Sequence, residues 1–417
     1  MSAEEPAGGP DAQSSPRSGS FIEVFLAALK LGLTSFGGPI AHFGYYRDEY
    51  VTRRKWIDDQ SFADMVAFAQ SLPGAASSKV GIMVGTHRAG LRGGLAAWLG
   101  FTLPTVLILM SFGLTVNIYP GDIANAGWLH GLKIAAVVIV LQAVLSMAQR
   151  LAPDRERATL AVGAAIAALA VEGIAVGQVV IIAAAGVIGW VALKRAPSAL
   201  PRVSIAAHVP RLLAIASLVV FFALLGGVPL ALVASPHNQA LAVFNAFYSS
   251  GALVFGGGHV VLPLLNAQVV APGWVSSSNF LAGYGLTQAM PGPLFAFSAY
   301  LGVIMNQAPN GVAGGLFALF AIFLPSFLLV YGPLPFWNRL RGMESFQSVL
   351  RGINAAVVGI LLAALYDPIF TSSVGSLADF SIAIGLGVLL FIWKRPPWNI
   401  VVVAAAAGFA LSLVGLT

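Results

Sequence analysis

Two short stretches hold the residues of this chain whose types and spacing suit chemistry. The first is Gln70-Ser-Leu-Pro-Gly-Ala-Ala-Ser-Ser-Lys79, and the second is Gln288-Ala-Met-Pro-Gly-Pro-Leu-Phe-Ala-Phe297. Each sets a glutamine ahead of a Pro-Gly pair, Gln70 before Pro73 and Gly74, Gln288 before Pro291 and Gly292, with apolar sequence on both sides. Past Pro73-Gly74 a helix can start with Ser77 and Ser78 in its first turn, and Pro291-Gly292-Pro293 can start another. A helix start offers free N–H groups and the positive end of the peptide dipole, which attract an anion. Serine hydroxyls, glutamine amides and the ammonium of Lys79 add donors. In a purely structural role the same serines cap a helix and the glutamines cap or pack. The chemistry is binding without bond-making. An enzyme would need a nucleophile with its base, or a carboxylate or metal cluster, and the apolar sequence contains no such constellation.

Further candidates surround these breaks. The glycine pairs Gly37-Gly38 and Gly256-Gly257 can turn the backbone sharply and let an anion approach it. His42 and His259 follow them, and an imidazole can titrate near neutral pH. Asp64, Glu172 and Lys133 fall in apolar segments, where ionisable groups are costly and usually functional. They are candidates for coupling substrate to an ion, although Asp64 could equally pair with a nearby arginine and Glu172 lie at an interface. Lys30 shares a helix face with Glu23 but stands too far from it for a direct i,i+4 pair.

The composition fixes the solvent in which these residues work. Hydrophobic residues make up 58% of the chain and charged ones only 9%, with a mean hydropathy of +0.85. Soluble domains carry roughly 25% charge. The chain is therefore a polytopic membrane protein with the lipid bilayer as its main partner. It contains no cysteine, which excludes disulfides and thiolate metal sites, and neither a metal nor a cofactor is expected. The net charge of +6 comes from short loops between apolar runs, a topogenic pattern and not a nucleic-acid footprint. No GxxxxGK[ST] loop is present, so energy comes from an ion gradient or a partner.

Residues 1–20 read as a disordered tail without the features of a signal peptide. An apolar run at 21–37 ends in the Gly37-Gly38 break, and residues 45–60 read as a charged surface loop anchored by Trp56. Segments 61–72 and 75–87 are each too short to cross a bilayer, which needs about 20 residues. They are expected as half-helices or a re-entrant pair. Spans are expected at 93–118, 129–149, 158–174, 176–193 and 211–233. The pattern restarts near 240 with a run ending at Gly256-Gly257, short pieces at 279–290 and 293–305, and spans at 311–332, 347–366, 377–393 and 398–416.

The restart is an internal repeat. Phe36-Gly37-Gly38 matches Phe255-Gly256-Gly257 at an offset of 219, and Trp56, Phe62, Gln70, Pro73 and Gly74 match Trp274, Phe280, Gln288, Pro291 and Gly292 at 218. Gly93-Gly94, Pro104 and Gly131 match Gly314-Gly315, Pro325 and Gly352 at 221. The expected all-α architecture is a tail (1–20), an N-terminal repeat (21–194), a linker loop and helix (195–239) and a C-terminal repeat (240–417). Loops at 150–157 and 194–211 are basic, as are Arg339 with Arg341 and Lys394 with Arg395, whereas 119–128 and 367–376 carry no Lys or Arg. Basic loops stay in the cytoplasm, so equivalent loops of the two halves face opposite sides. An inverted-topology repeat about one linker helix gives that result. The basic residues of 45–60 favour re-entrance of 21–44 and 61–88 over full crossings.

Leu33-Thr-Ser-Phe-Gly-Gly-Pro-Ile-Ala-His42, Val51 with Trp56, Leu72-Pro-Gly-Ala-Ala-Ser-Ser78, Gly85, Arg88-Ala-Gly90 and Gly100-Phe-Thr-Leu-Pro104 resemble the chromate ion transporter family, across nearly the whole chain. The resemblance implies a long, two-domain member in the bacterial inner membrane that exports chromate, uses the chemiosmotic gradient and confers chromate resistance. Sulfate, another tetrahedral dianion, is the implied competitor, and a transporter or channel for sulfate or another small anion is the alternative. A second copy of the chain is a candidate partner in a homodimer. The chain departs from the family pattern at Ala75, where a second proline is common, and at Lys79, where glutamine is common.

Overall fold

The structure, a computed structural model, describes residues 19–119, 126–171, 175–193 and 209–413. Expectations for most of the tail, for 120–125, for Glu172 and for Lys194, Arg195 and Arg202 lie outside the described residues. Among those described, every regular element is helical. α1 (Phe21–Thr34) ends before the Gly37-Gly38 turn, and α2 (Gly38–Tyr46) runs into a wide π-type turn at Arg47–Arg53. α3 (Asp59–Ser71) is capped by the Asp58 carboxylate and stops at Leu72. α4 (Ala76–Ile118) follows the Pro73-Gly74 break and opens again at Ala89 and Gly90. α5 (Gly127–Leu151), α6 (Arg155–Ala170) and α7 (Ala175–Ala192) complete the first half. α8 (Arg211–Ala234) leads into the second.

The second half comprises α9 (Gln239–Ala252), α10 (Val261–Leu265) with a π-type turn at Asn266–Val270, α11 (Ser277–Ala289) and α12 (Phe297–Ile304). After these come α13 (Gly311–Tyr331), α14 (Trp337–Arg341), α15 (Glu344–Ala364), α16 (Leu377–Gly387) and α17 (Pro397–Leu413). Its backbone repeats the first half. Four pairs of left-handed residues fall in register: Gly37 (φ 96°) with Gly256 (75°), Lys55 (52°) with Gly273 (79°), Gly74 (105°) with Gly292 (94°), and Gly90 (64°) with Gly311 (58°), whereas Gly38 (76°) has an extended partner in Gly257. The π-type turns at Arg47–Arg53 and Asn266–Val270 are also in register. Such conformations are rare, so their recurrence at the sequence offsets marks one fold used twice.

The halves interlock by exchanging identical contacts. The Gly74 N–H donates to the Val254 carbonyl at 2.8 Å, and the Gly292 N–H donates to the Ser35 carbonyl at 3.0 Å. Ser35 and Val254 are themselves repeat partners, so one contact is made twice, as a two-fold relation requires. Two further partners close over the breaks. Ser326 Oγ accepts from the Ala75 N–H at 3.2 Å, and Thr105 Oγ1 donates to the Pro291 carbonyl. α15 packs on α6 and α7 of the first half, while α5 packs on α17 of the second. Glycines allow both approaches, Gly131 against Ala404 and Gly408, and its partner Gly352 against Ala185 and Gly189. Close approach at small residues is the usual means of joining helices in lipid, where no hydrophobic force drives them together.

One expectation is corrected. Residues 45–60 are not wholly a loop, because most of their first half continues α2, and among its exposed charges the carboxylate Glu49 is inside. Glu49, 4% exposed, accepts from Lys30 and Arg54 at 2.7 Å and from Arg53 at 3.1 Å. Arg47, Asp48, Arg53, Lys55, Asp58 and Asp59 are exposed, and Glu49 alone among the charges of this stretch is buried. The segments expected at 158–174, 176–193, 377–393 and 398–416 are helical at Arg155–Ala170, Ala175–Ala192, Leu377–Gly387 with a π-type continuation Val388–Ile392, and Pro397–Leu413. Caps at Asp154 and Ser376 and the start at Pro397 set their first residues. Five described helices are long and apolar enough to cross, namely α4, α5, α8, the stretch Gly311–Arg341 and the stretch Glu344–Phe370.

Candidate functional site

Where the two sets of breaks meet, the structure leaves a cavity of about 460 Å³. Gly37 and Gly74 from the first half and Gly256, Gly257 and Gly258 from the second line it with backbone. Gln70 extends from the last turn of α3, Asn354 from α15, and His259 from the turn before α10. The opposite wall is α5, whose Gln142, Ser146 and Arg150 also line it. Arg150 is anchored by its Nε, which donates to the Ser146 carbonyl at 3.1 Å. His259 Nδ1 lies 2.7 Å from the Tyr284 hydroxyl, which fixes the ring. Backbone turns, three amides, a hydroxyl, an imidazole and one guanidinium can together replace part of an anion's hydration shell. Among the described residues, no carboxylate lines the cavity.

The structure brings together Gly37, Gln70, Gly74, Gly256, Gly257 and His259 of the residues singled out from the sequence. It sets the others elsewhere. Lys79 is fully buried, and its Nζ donates to the carbonyls of Leu72 and Pro73 at 2.6 and 2.9 Å. Ser77 and Ser78 are 4% and 2% exposed in the first turn of α4. Gly38 begins α2. Gln288, Pro291, Gly292 and Pro293 form the second break, where the Gln288 Nε2 is buried without a hydrogen bond. His42 is buried with its ring edge-on to Phe101. Asp64 accepts from Gln60 at 3.3 Å on α3. Lys133 Nζ lies 3.4 Å from Ser278 Oγ, and on the same face of α5 His130 pairs with Asp379 at 2.6 Å. Among the described residues, no three His, Asp or Glu side chains stand together as metal ligands.

Sequence reasoning missed Gln142, Ser146, Arg150 and Asn354. Arg150 counted only as a topogenic charge. The signal was present, since Gln142, Ser146 and Arg150 recur every four residues and so form a polar stripe on one face of an apolar helix.

Comparison with known proteins agrees with the division into halves. A family model described as chromate transporter matches residues 22–190 and again 241–409. A chromate transport protein of Pseudomonas aeruginosa is 28% identical over 410 residues, covering 95% of this chain and 92% of its own length. A probable chromate transport protein of Synechococcus elongatus is 26% identical, over 91% of this chain and 93% of its own. An uncharacterised transporter of Methanocaldococcus jannaschii is 25% identical, over 92% of both. No solved structure matches the chain.

Proposed function

Since the chain belongs to the chromate transporter family, we propose that it is a secondary active transporter that exports chromate across the bacterial inner membrane, and that the cavity between its halves holds the anion. One observation carries this reading: glycine breaks from both repeats converge on a single cavity that has donors, one guanidinium and, among the described residues, no carboxylate. A tetrahedral dianion loses a large hydration energy on leaving water, so its site must supply oriented donors and positive charge. Arg150 presents a planar fork to two oxygens at once. The amides of Gln70, Gln142 and Asn354 donate to the others, and the first turn of α4 adds the positive end of its dipole at Ala76.

Orientation follows from loop charge. Arg150 lines the cavity at the end of α5, the basic loop with Arg155 and Arg157 follows it in the chain, and basic loops are cytoplasmic. The cavity then opens to the cytoplasm, the side from which an exporter loads. Equivalent loops fall on opposite sides, which makes the two-fold exchange an inverted repeat. For energy, His259 is the titratable candidate inside the cavity. A proton taken up there adds positive charge beside the dianion, linking flux to the proton gradient and conferring chromate resistance.

Flux of labelled chromate into inside-out vesicles or proteoliposomes, with an imposed pH gradient and with sulfate as competitor, tests this reading. Gradient-dependent chromate flux that sulfate inhibits is the expected result. Sulfate flux that chromate does not inhibit would make the protein a sulfate transporter, and no anion flux would refute the proposal.

A further inference from the structure

The two halves repeat each other in sequence and backbone, but not in packing. α11 lies against α5, and a Cβ on Gly285 would come within 2.5 Å of the Leu132 carbonyl. Leu281, Gly285 and Leu132 are buried in that seam. The repeat partners of Gly285 and Leu132 are Ala67 on α3 and Ile353 on α15, at offsets of 218 and 221. α3 and α15 do not pack along each other. Ala63 and Ala67, partners of Leu281 and Gly285, are exposed. Gln70 and Asn354 face the cavity that fills the gap between these two helices. One seam is shut and its counterpart is open.

The shut seam also holds an orphaned group. Gln288, partner of Gln70, has a buried Nε2 without a hydrogen bond, whereas Gln70 is exposed.

Resting on the reading of the protein as an anion transporter, we infer a second site for the same dianion: a mirror cavity lined by Gln288, Met290, Gly292, Leu294 and Lys133, which opens to the opposite side as α3 closes on α15 at Ala67 and Ile353. The five residues are the repeat partners of Gln70, Leu72, Gly74, Ala76 and Asn354, all of which line the open cavity. Lys133 supplies a cation to the mirror cavity as Arg150 does to the open one. The partner positions of these two cations, Asn354 and Thr371, are uncharged, so each cavity takes its positive charge from a different end of α5, and Asp367, the partner of Ser146, gives the mirror side a carboxylate where the open cavity, among the described residues, has none. The exchange needs no new fold, because each half already displays the packing that the other would adopt. Alanines at 63 and 67 leave room for α3 to approach.

The chain has no cysteine, so single thiols report cleanly. In sealed vesicles, Q70C and Q288C are treated with a membrane-impermeant maleimide from either side, before chromate, itself an oxidant of thiols, is added. The expected result is labelling of Q70C from one face and of Q288C from the other. A disulfide across A67C and I353C should form and stop transport, and should raise Q288C labelling by about tenfold, as expected for a shifted two-state population. Labelling of both glutamine positions from one face, absence of the 67–353 disulfide, or a disulfide that leaves transport unaltered would overturn the inference. The wild-type flux measurement is independent of these outcomes. Opposed labelling without chromate flux would preserve the two cavities and refute the substrate.

Discussion

Lys79 has no solvent-exposed surface, and its ammonium ends on the carbonyls of Leu72 and Pro73. An intramembrane cation is a functional candidate by default, which is why the sequence points to it. Helix geometry gives the missing step: side chains tilt toward the helix N-terminus. From the first turn of α4, Lys79 is therefore carried back over the break, where it satisfies carbonyls that α3 leaves free. Lys79→Met should cost about 1–3 kcal/mol of stability, the usual penalty for unpaired buried polar groups. Lys79→Gln, whose amide can still donate to one carbonyl, should lose less. Thermal unfolding in detergent reads both, and equal unfolding temperatures for the two variants would contradict this role. Arg150 has the opposite history. At a helix end it resembles a topogenic charge, and only the stripe with Gln142 and Ser146 reveals a wall of the cavity.

At the scale of elements, the Pro-Gly breaks were legible because proline and glycine name a backbone that cannot continue a helix. What they touch was not legible. Gly74 has φ 105°, and a Cβ there would stand 2.8 Å from Ser326 Oγ. Gly74→Ala should therefore reduce transport through both strain and contact. Adding Ser326→Ala should restore part of the flux by removing the contact alone. Full recovery in the double variant would mean that the left-handed turn is not required. In the charged stretch 45–60 most charges are exposed as the sequence suggests, but not legible was that Arg53 and Arg54, with Lys30 from α1, meet one buried carboxylate. Burial pushes the Glu49 carboxyl up, but the bonds from Lys30, Arg54 and Arg53 outweigh it and hold the pKa at about 2, against an ordinary 4.5. A carboxylate held low stabilises the fold fully above about pH 4.5, and this contribution is lost as pH falls through about 2. The stability gap between wild type and Glu49→Gln should therefore be widest at neutral pH and shrink between pH 4.5 and 2. A gap that does not change over that range would contradict the assignment. In the second half the pair is Gln268 with Ser249, 3.4 Å apart and uncharged, so this pH dependence belongs to one half alone.

At the scale of the molecule, the repeat was readable from offsets that stay constant over aromatic, proline and glycine positions. The interlocking was not, because α5 with α17 and α15 with α6 and α7 meet across distances that no local pattern encodes. The cavity is a product of that interlocking: neither half contains it, and its walls come from α3, α5 and α15 together with the glycine turns of both repeats. We propose that this cavity holds the dianion. Equilibrium binding of radiolabelled chromate to the purified protein, wild type against Arg150→Gln and Gln142→Ala, tests it most directly. Loss of a hydrogen bond to a charged group amounts to about 1.5–3 kcal/mol, so Arg150→Gln should bind roughly ten- to a hundredfold more weakly. Gln142→Ala should weaken binding by a smaller factor, with both proteins folded. Wild-type affinity in both variants would contradict the claim and place the anion outside this cavity.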